Sequence, residues 1–270
     1  MISLRQLRRL DSLSFPSRWL IALGWGVGLT LLGQMRLPAM ELAQTADTSE
    51  VKALLQQFDS IANQHQVDQL GKIYSPDFSN SDGLTLQQVE ASLQSLWELY
   101  PDLSYTTELQ SWRREGEAVI VETVTNIEGN RPWLGKTATL TGAVASRQTF
   151  IDQKLVRQEV LAEKMTLTAG ENPPKVNIRL PEKVKPGQQF DFDVILETPL
   201  GDDLLAGSAF AQDIDPASYQ FDPTQIKLEL LQAGGLFKRV VAGEDPQWLS
   251  ALLVSSEGMV LVTQRLAIAR

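Results

Sequence analysis

The 270-residue chain contains no cysteine, and that absence removes several kinds of chemistry at once. Disulfide staples, thiolate nucleophiles, thiolate metal sites and a lipid-bearing cysteine are all excluded. A single histidine, His65, rules out a polyhistidine metal centre. Carboxylates alone can hold calcium or magnesium, but no calcium-loop spacing appears, so neither metal nor cofactor is expected. Positive charge is scarce: 24 Lys and Arg face 33 Asp and Glu, a net of −9. Five of those basic groups, and only two acidic ones, sit in residues 1–46, so the rest of the chain carries a net of −12. A body this acidic repels phosphate backbones, and no nucleic-acid partner is expected. An apolar run of full membrane-spanning length is missing as well. The candidate, Trp19–Leu32, is about fourteen residues where about twenty are needed.

That short run still has a meaning. Arg5, Arg8, Arg9 and Arg18 precede it, which is the layout of a secretory signal. Gly24, Gly26 and Gly28 weaken it as a helical anchor. Residues 1–46 therefore read as a signal peptide, cut between Ala43 and Ala46, or as an uncleaved signal anchor. Either reading places the body outside the cytoplasm, in the periplasm or another extracytoplasmic compartment. The second ties it to the inner membrane, and the N-terminal segment is the only membrane contact expected.

The body is long enough for two domains. Asp47 and Glu50 look like a capping box ahead of Val51, Leu54, Leu55, Phe58 and Ile61, which share one helical face. A break at His65–Asp68 follows, with Asp68 expected to cap a short helix ended by Pro76. Ser81-Asp82-Gly83 reads as a turn, and Thr85 with Gln88 as a second capping box. Val89, Leu93, Leu96, Trp97 and Tyr100 give the second helix its apolar stripe before Pro101 stops it. Alternating strands then run to Leu167, with turns expected at Arg114–Gly116, Glu128–Asn130 and Asp152-Gln153. Four long strands in sequence make an antiparallel meander that has to curve.

The order of a helix, the segment IYSPDFSNSDGLT, a helix ending LWELYPDLSY and a long meander resembles the nuclear transport factor 2-like superfamily, nearest its SnoaL-like, polyketide-cyclase-type branch. The resemblance covers residues 47–168. It implies a cone, with helices on a curved antiparallel sheet and a cavity between them. The family includes isomerases, dehydratases and cyclases, and also members that only bind or dimerise, so fold alone does not settle function. Its enzymes place a carboxylate base and a tyrosine or histidine donor in the cavity, where burial lifts the carboxyl pKa.

No catalytic motif of that family matches residue by residue, so no catalytic residue is assigned. Asp77, Asp82, Asp102, Glu122, Tyr74, Tyr100 and Tyr105 are the acid–base residues within the cone segment worth weighing. Asp77 and Asp82 sit in turn contexts that suit backbone capping. Glu122 shares a strand face with Ile120 and Val124, an odd place for a carboxylate. Tyr74, Trp97, Tyr100, Tyr105, Glu122, Trp133 and Phe150 form the expected cavity wall.

Residues 170–175 read as a linker between a domain at 47–169 and one at 176–270. The second shows about seven short strands separated by turn signals, a β-sandwich pattern. VKPGQQFDFDVILETP resembles the early strands of bacterial immunoglobulin-like domains. The expected architecture is thus an α+β cone followed by an all-β immunoglobulin-like sandwich. The expected function is an exported, non-enzymatic binding or assembly module, with a small apolar ligand or an envelope protein as partner and a homodimer open. A metal-free isomerase or lyase using the cone, and a membrane-anchored envelope spacer, are the alternatives.

Overall fold

The computed structural model describes residues 14–16, 38–198, 204–219, 223–231 and 234–269. The Trp19–Leu32 run lies outside the described residues. Among those described, no helix is long and apolar enough to cross a membrane.

In chain order the elements are β1 (Ser14–Pro16), a first helix (Pro38–Asn63), a 3₁₀ turn (Val67–Lys72), β2 (Tyr74–Asn80) and a second helix (Leu86–Leu99). The meander comes next as β3 (Ser104–Glu115), β4 (Ala118–Trp133), β5 (Lys136–Ile151) and β6 (Lys154–Gly170). Then come β7 (Val176–Arg179), β8 (Lys183–Val184), β9 (Gln189–Leu196), β10 (Ala206–Asp213), β11 (Pro223–Gln225), β12 (Glu229–Leu230), β13 (Gly235–Val241), β14 (Gln247–Val254) and β15 (Gly258–Ile268).

Several local expectations meet the structure directly. The Thr85–Gln88 capping box is complete, and Asp152 and Gln153 turn the last hairpin with φ of 48° and 61°. Others change. The first helix is already running at Asp47, so Asp47 and Glu50 do not start it. Asp68 is not a cap: Gln66 holds that position without a side-chain bond, and Asp68 accepts from Gln69 Nε2 instead. Residues 74–80 form a strand, β2, that pairs in parallel with β6. The chain does not turn at Glu128–Asn130, because β4 continues to Trp133. Gly129 serves close packing there: a Cβ on it would stand 2.6 Å from Leu103 Cδ1.

The larger correction concerns architecture. An α+β cone followed by a separate immunoglobulin-like sandwich does not form. One ten-stranded sheet runs through both halves in the order β12-β10-β14-β15-β6-β5-β4-β3, with β2 and β8 attached to β6 and β15. The last cone strand, β6, pairs antiparallel with the last strand of the chain, β15, from Gly170↔Gly258 to Lys164↔Gln264. The two backbones nearly touch at that seam, where a Cβ on Gly170 would meet Glu257 O at 2.4 Å. Strands β13-β9-β7 form a second, three-stranded sheet.

Burial explains the fusion. Trp248, Leu252 and Val254 of β14 and Met259 and Leu261 of β15 join the cone core. Leu249, Ala251 and Leu253, with Val260, Val262 and Leu266, join a second core with Phe190, Phe192 and Val194 of β9. The β14–β15 hairpin thus has an apolar core on each face. Exposing either face would forfeit about 1.5–3 kcal/mol per large side chain, so neither half closes without it.

Candidate functional site

Inside the cone lies a cavity of about 120 Å³. Leu55, Phe58, Asp59 and Ala62 of the first helix, Val89 and Leu93 of the second, and one face of the sheet form its walls. Tyr219, from the C-terminal half, also lines it. The sheet contributes a polar row. Thr107 Oγ1 donates to Asp59 Oδ1 at 2.6 Å, and Thr107 N donates to Asp59 Oδ2 at 2.8 Å. Thr123 and Ser146 hydroxyls pair at 3.2 Å, and Gln148 Nε2 donates to Ser146 Oγ at 3.3 Å. Gln148 Oε1 is buried without a hydrogen-bond partner among the described residues.

Of the seven residues expected to form the wall, Tyr74 and Tyr105 line this cavity. Burial pushes the Tyr74 hydroxyl up to about 12 and raises that of Tyr105 as well. Trp97 stands behind Tyr105, donating its indole N–H to the Tyr105 oxygen at 3.0 Å. Phe150 is core, edge-on to Phe58 at 5.4 Å. Tyr100 is fully buried beneath the Arg131 guanidinium, 5.4 Å from its ring centre. Trp133 packs on the main core at the far end of β4. Glu122 belongs to the outer face, where Arg147 bonds it at 2.9 Å and lowers its pKa.

Asp102, Asp77 and His65 do not line the cavity. Asp102 is exposed and accepts from Asn130 N at 2.6 Å, a bond that lowers its pKa. Asp77 is exposed on β2. His65 stacks on Trp97 at 5.1 Å, and its Nε2 lies 2.7 Å from the Leu103 carbonyl oxygen.

Asp82 is the exception to its turn reading. It is 8% exposed and receives both terminal nitrogens of Arg265, with Nη1 3.1 Å from Oδ2. Tyr219 Oη donates to the same Oδ2 at 2.5 Å. Beside them Glu163, fully buried, accepts from Trp248 Nε1 at 2.8 Å and lies 3.5 Å from Arg265 Nη1. Trp248 faces Arg265 across β14–β15, and Arg265 and Glu163 fall side by side one step past the last β6–β15 pair. One cation thus serves two buried carboxylates. Burial raises Glu163 to about 7, against the opposing pull of Arg265 and of the Trp248 bond. Burial also raises the Tyr219 hydroxyl, with Glu163 and Asp82 nearby. The cluster joins the cone to the C-terminal half and holds Tyr219 over the cavity.

Sequence reasoning passed over Glu163, Arg265, Tyr219 and Trp248. A signal existed for the first two. Glu163 has the strand parity of Met165 and Leu167, and Arg265 that of Met259 and Leu261, so each charge sits on an apolar face. A wider groove of about 700 Å³ opens beside Glu182 and Lys183, lined by Thr141, Ala143, Lys164 and Thr166. Glu163 and Arg265 border it, but their side chains, 0% and 4% exposed, do not reach its solvent. Among the described residues, no group of three or more metal-ligating side chains is placed to hold an ion.

A family model described as a domain of unknown function, DUF8623, matches residues 171–269. No curated protein matches the chain. Among solved structures, the Kfla4162 protein from Kribbella flavida aligns at 10% identity and a TM-score of 0.37, over 43% of this chain and 90% of its own. A SnoaL-like polyketide cyclase from Agrobacterium tumefaciens aligns at 12% and 0.31, over 40% and 86%. TsrD from Streptomyces laurentii aligns at 16% and 0.31, over 41% and 85%. The structural neighbours thus include SnoaL-like polyketide cyclases.

Proposed function

We propose that the protein is a non-enzymatic binding module whose cavity, between the two helices and the sheet, holds a small molecule beneath a cover supplied by its C-terminal half. The observation that carries this reading is the seating of Tyr219, which lines the cavity while bonded to Asp82 and, through it, to Arg265. A site built for turnover keeps a titratable base within reach of the ligand. Here the carboxylate in the wall, Asp59, is occupied by Thr107, and Glu122 and Asp102 lie outside the cavity. At about 120 Å³ the space is well below the roughly 300–1,000 Å³ of drug-sized ligand sites. It suits a molecule nearer benzene in size. Export belongs to the same proposal, supported by the arginine-flanked Trp19–Leu32 run.

Ligand-observed NMR with fragments of about five to seven non-hydrogen atoms tests the reading. Binders are expected for the full chain and are expected to be lost in Ala62→Leu, which adds a side chain to the cavity wall. Ala62 is only half-buried, so the variant is expected to stay folded, which its melting curve checks. No binders, or binders indifferent to Ala62→Leu, would contradict it.

A further inference from the structure

The cavity wall is not chemically uniform, and one of its atoms is unanswered. Several polar groups around the sheet face have protein partners: Thr107 with Asp59 and Thr125, Thr123 with Ser146, Tyr105 with Trp97. Gln148 is 7% exposed and uses its Nε2 on Ser146, which leaves Oε1 buried and unpartnered among the described residues. Gln148 lines the cavity, directly across the β5–β6 pairing from Gln158, another wall residue. A buried amide oxygen without a donor is costly, and proteins rarely retain one unless something supplies the hydrogen.

The rest of the wall limits what that something can be. The wall also holds Leu70, Ile73 and Leu93, which offer no polar contact. The wall holds no Lys or Arg to neutralise an anion. Its one carboxylate, Asp59, already accepts two bonds from Thr107, so a cation gains little against its desolvation.

We infer that the cavity takes one uncharged molecule of about five to seven non-hydrogen atoms, apolar over most of its surface, whose single N–H or O–H donates to Gln148 Oε1. This names the ligand class of the binding site proposed above and rests on that reading.

Pyrrole and furan separate the two claims, because they match in shape and only pyrrole carries a donor. Calorimetric titration of the full chain is expected to show pyrrole binding roughly tenfold more tightly than furan, the scale of one satisfied buried hydrogen bond. In Gln148→Met the two are expected to bind within about twofold of each other, with furan affinity unchanged or improved. Equal binding of both rings to the unaltered protein would overturn the donor inference and leave the cavity as a ligand site. Failure of both to bind would overturn the binding reading itself. The contrast in the unaltered protein decides between these outcomes even if the variant does not fold.

Discussion

Replacing Arg265 with Met is expected to destabilise the protein by about 3–5 kcal/mol, the cost of removing one partner from a buried ion pair. The side chains of Arg265 and its two carboxylates, Asp82 and Glu163, are 4%, 2% and 0% exposed. Methionine fills much of the arginine volume, so the loss is electrostatic rather than a cavity. It strands two carboxylates in a medium that cannot solvate them. Chemical denaturation at neutral pH reads the effect. Adding Asp82→Asn to Arg265→Met is expected to restore part of the stability, since a neutral amide tolerates burial far better. A loss below about 1 kcal/mol, the value of an exposed pair, would show that water reaches the cluster.

Glu163→Gln is expected to act in the opposite direction, and only at higher pH. The folded pKa of about 7 lies above the ordinary 4.5, so the folded state holds the proton more tightly than the unfolded chain does. The contribution of Glu163 is therefore fully present below about pH 4.5 and is lost as pH rises through 7. The loss amounts to about 3 kcal/mol. Glutamine keeps an oxygen for the Trp248 indole and cannot ionise. The variant should match the parent near pH 4.5 and exceed it in stability by about that amount at pH 8. Denaturant midpoints collected from pH 4.5 to 8 give the difference curve. A flat difference would mean that Arg265 keeps Glu163 ionised throughout.

The second helix and the long meander could be read from the chain, because their local signals agree with one another. Thr85 and Gln88 fix a helix start, Pro101 stops that helix, and alternation from Leu103 onward fixes a meander. What misled was the assumption that a turn signal ends an element. Gly129 looks like a turn residue, yet it is there because Leu103 packs over it. The strands of the C-terminal half were also legible, but their sheet membership was not. QWLSALLV and GMVLVTQRLAI lack a polar face, and a strand buried on both faces must sit between two cores. That composition was the available sign that β14 and β15 belong to the cone as much as to the C-terminal half.

The site was harder to foresee, for a physical reason. Of the aromatic residues expected in the wall, Tyr74 and Tyr105 line the cavity, while Trp97, Tyr100, Trp133 and Phe150 pack in or on the core, a distinction that aromatic spacing alone does not make. Asp82 sits in a convincing turn, and nothing within ten residues of it hints at Arg265, which lies 183 positions away. Buried ionic clusters assembled from distant strands leave only weak traces: a charge on the wrong face of a strand, here Glu163 and Arg265. Gln148 leaves less still, since a glutamine between Ser146 and Phe150 reads as an ordinary strand residue until its neighbours in space are known.

Native-state hydrogen exchange across a denaturant series probes most directly whether the two halves are one cooperative unit. Amides of β6 and β15, which bond to each other from Lys164–Gly170 to Gly258–Gln264, should then open together. The same global free energy should govern the β4–β5 amides. If β14 and β15 open at a distinctly lower free energy while β4, β5 and β6 stay protected, the halves fold separately. The shared sheet would then be an association of two domains, and the cover over the cavity would be a detachable one.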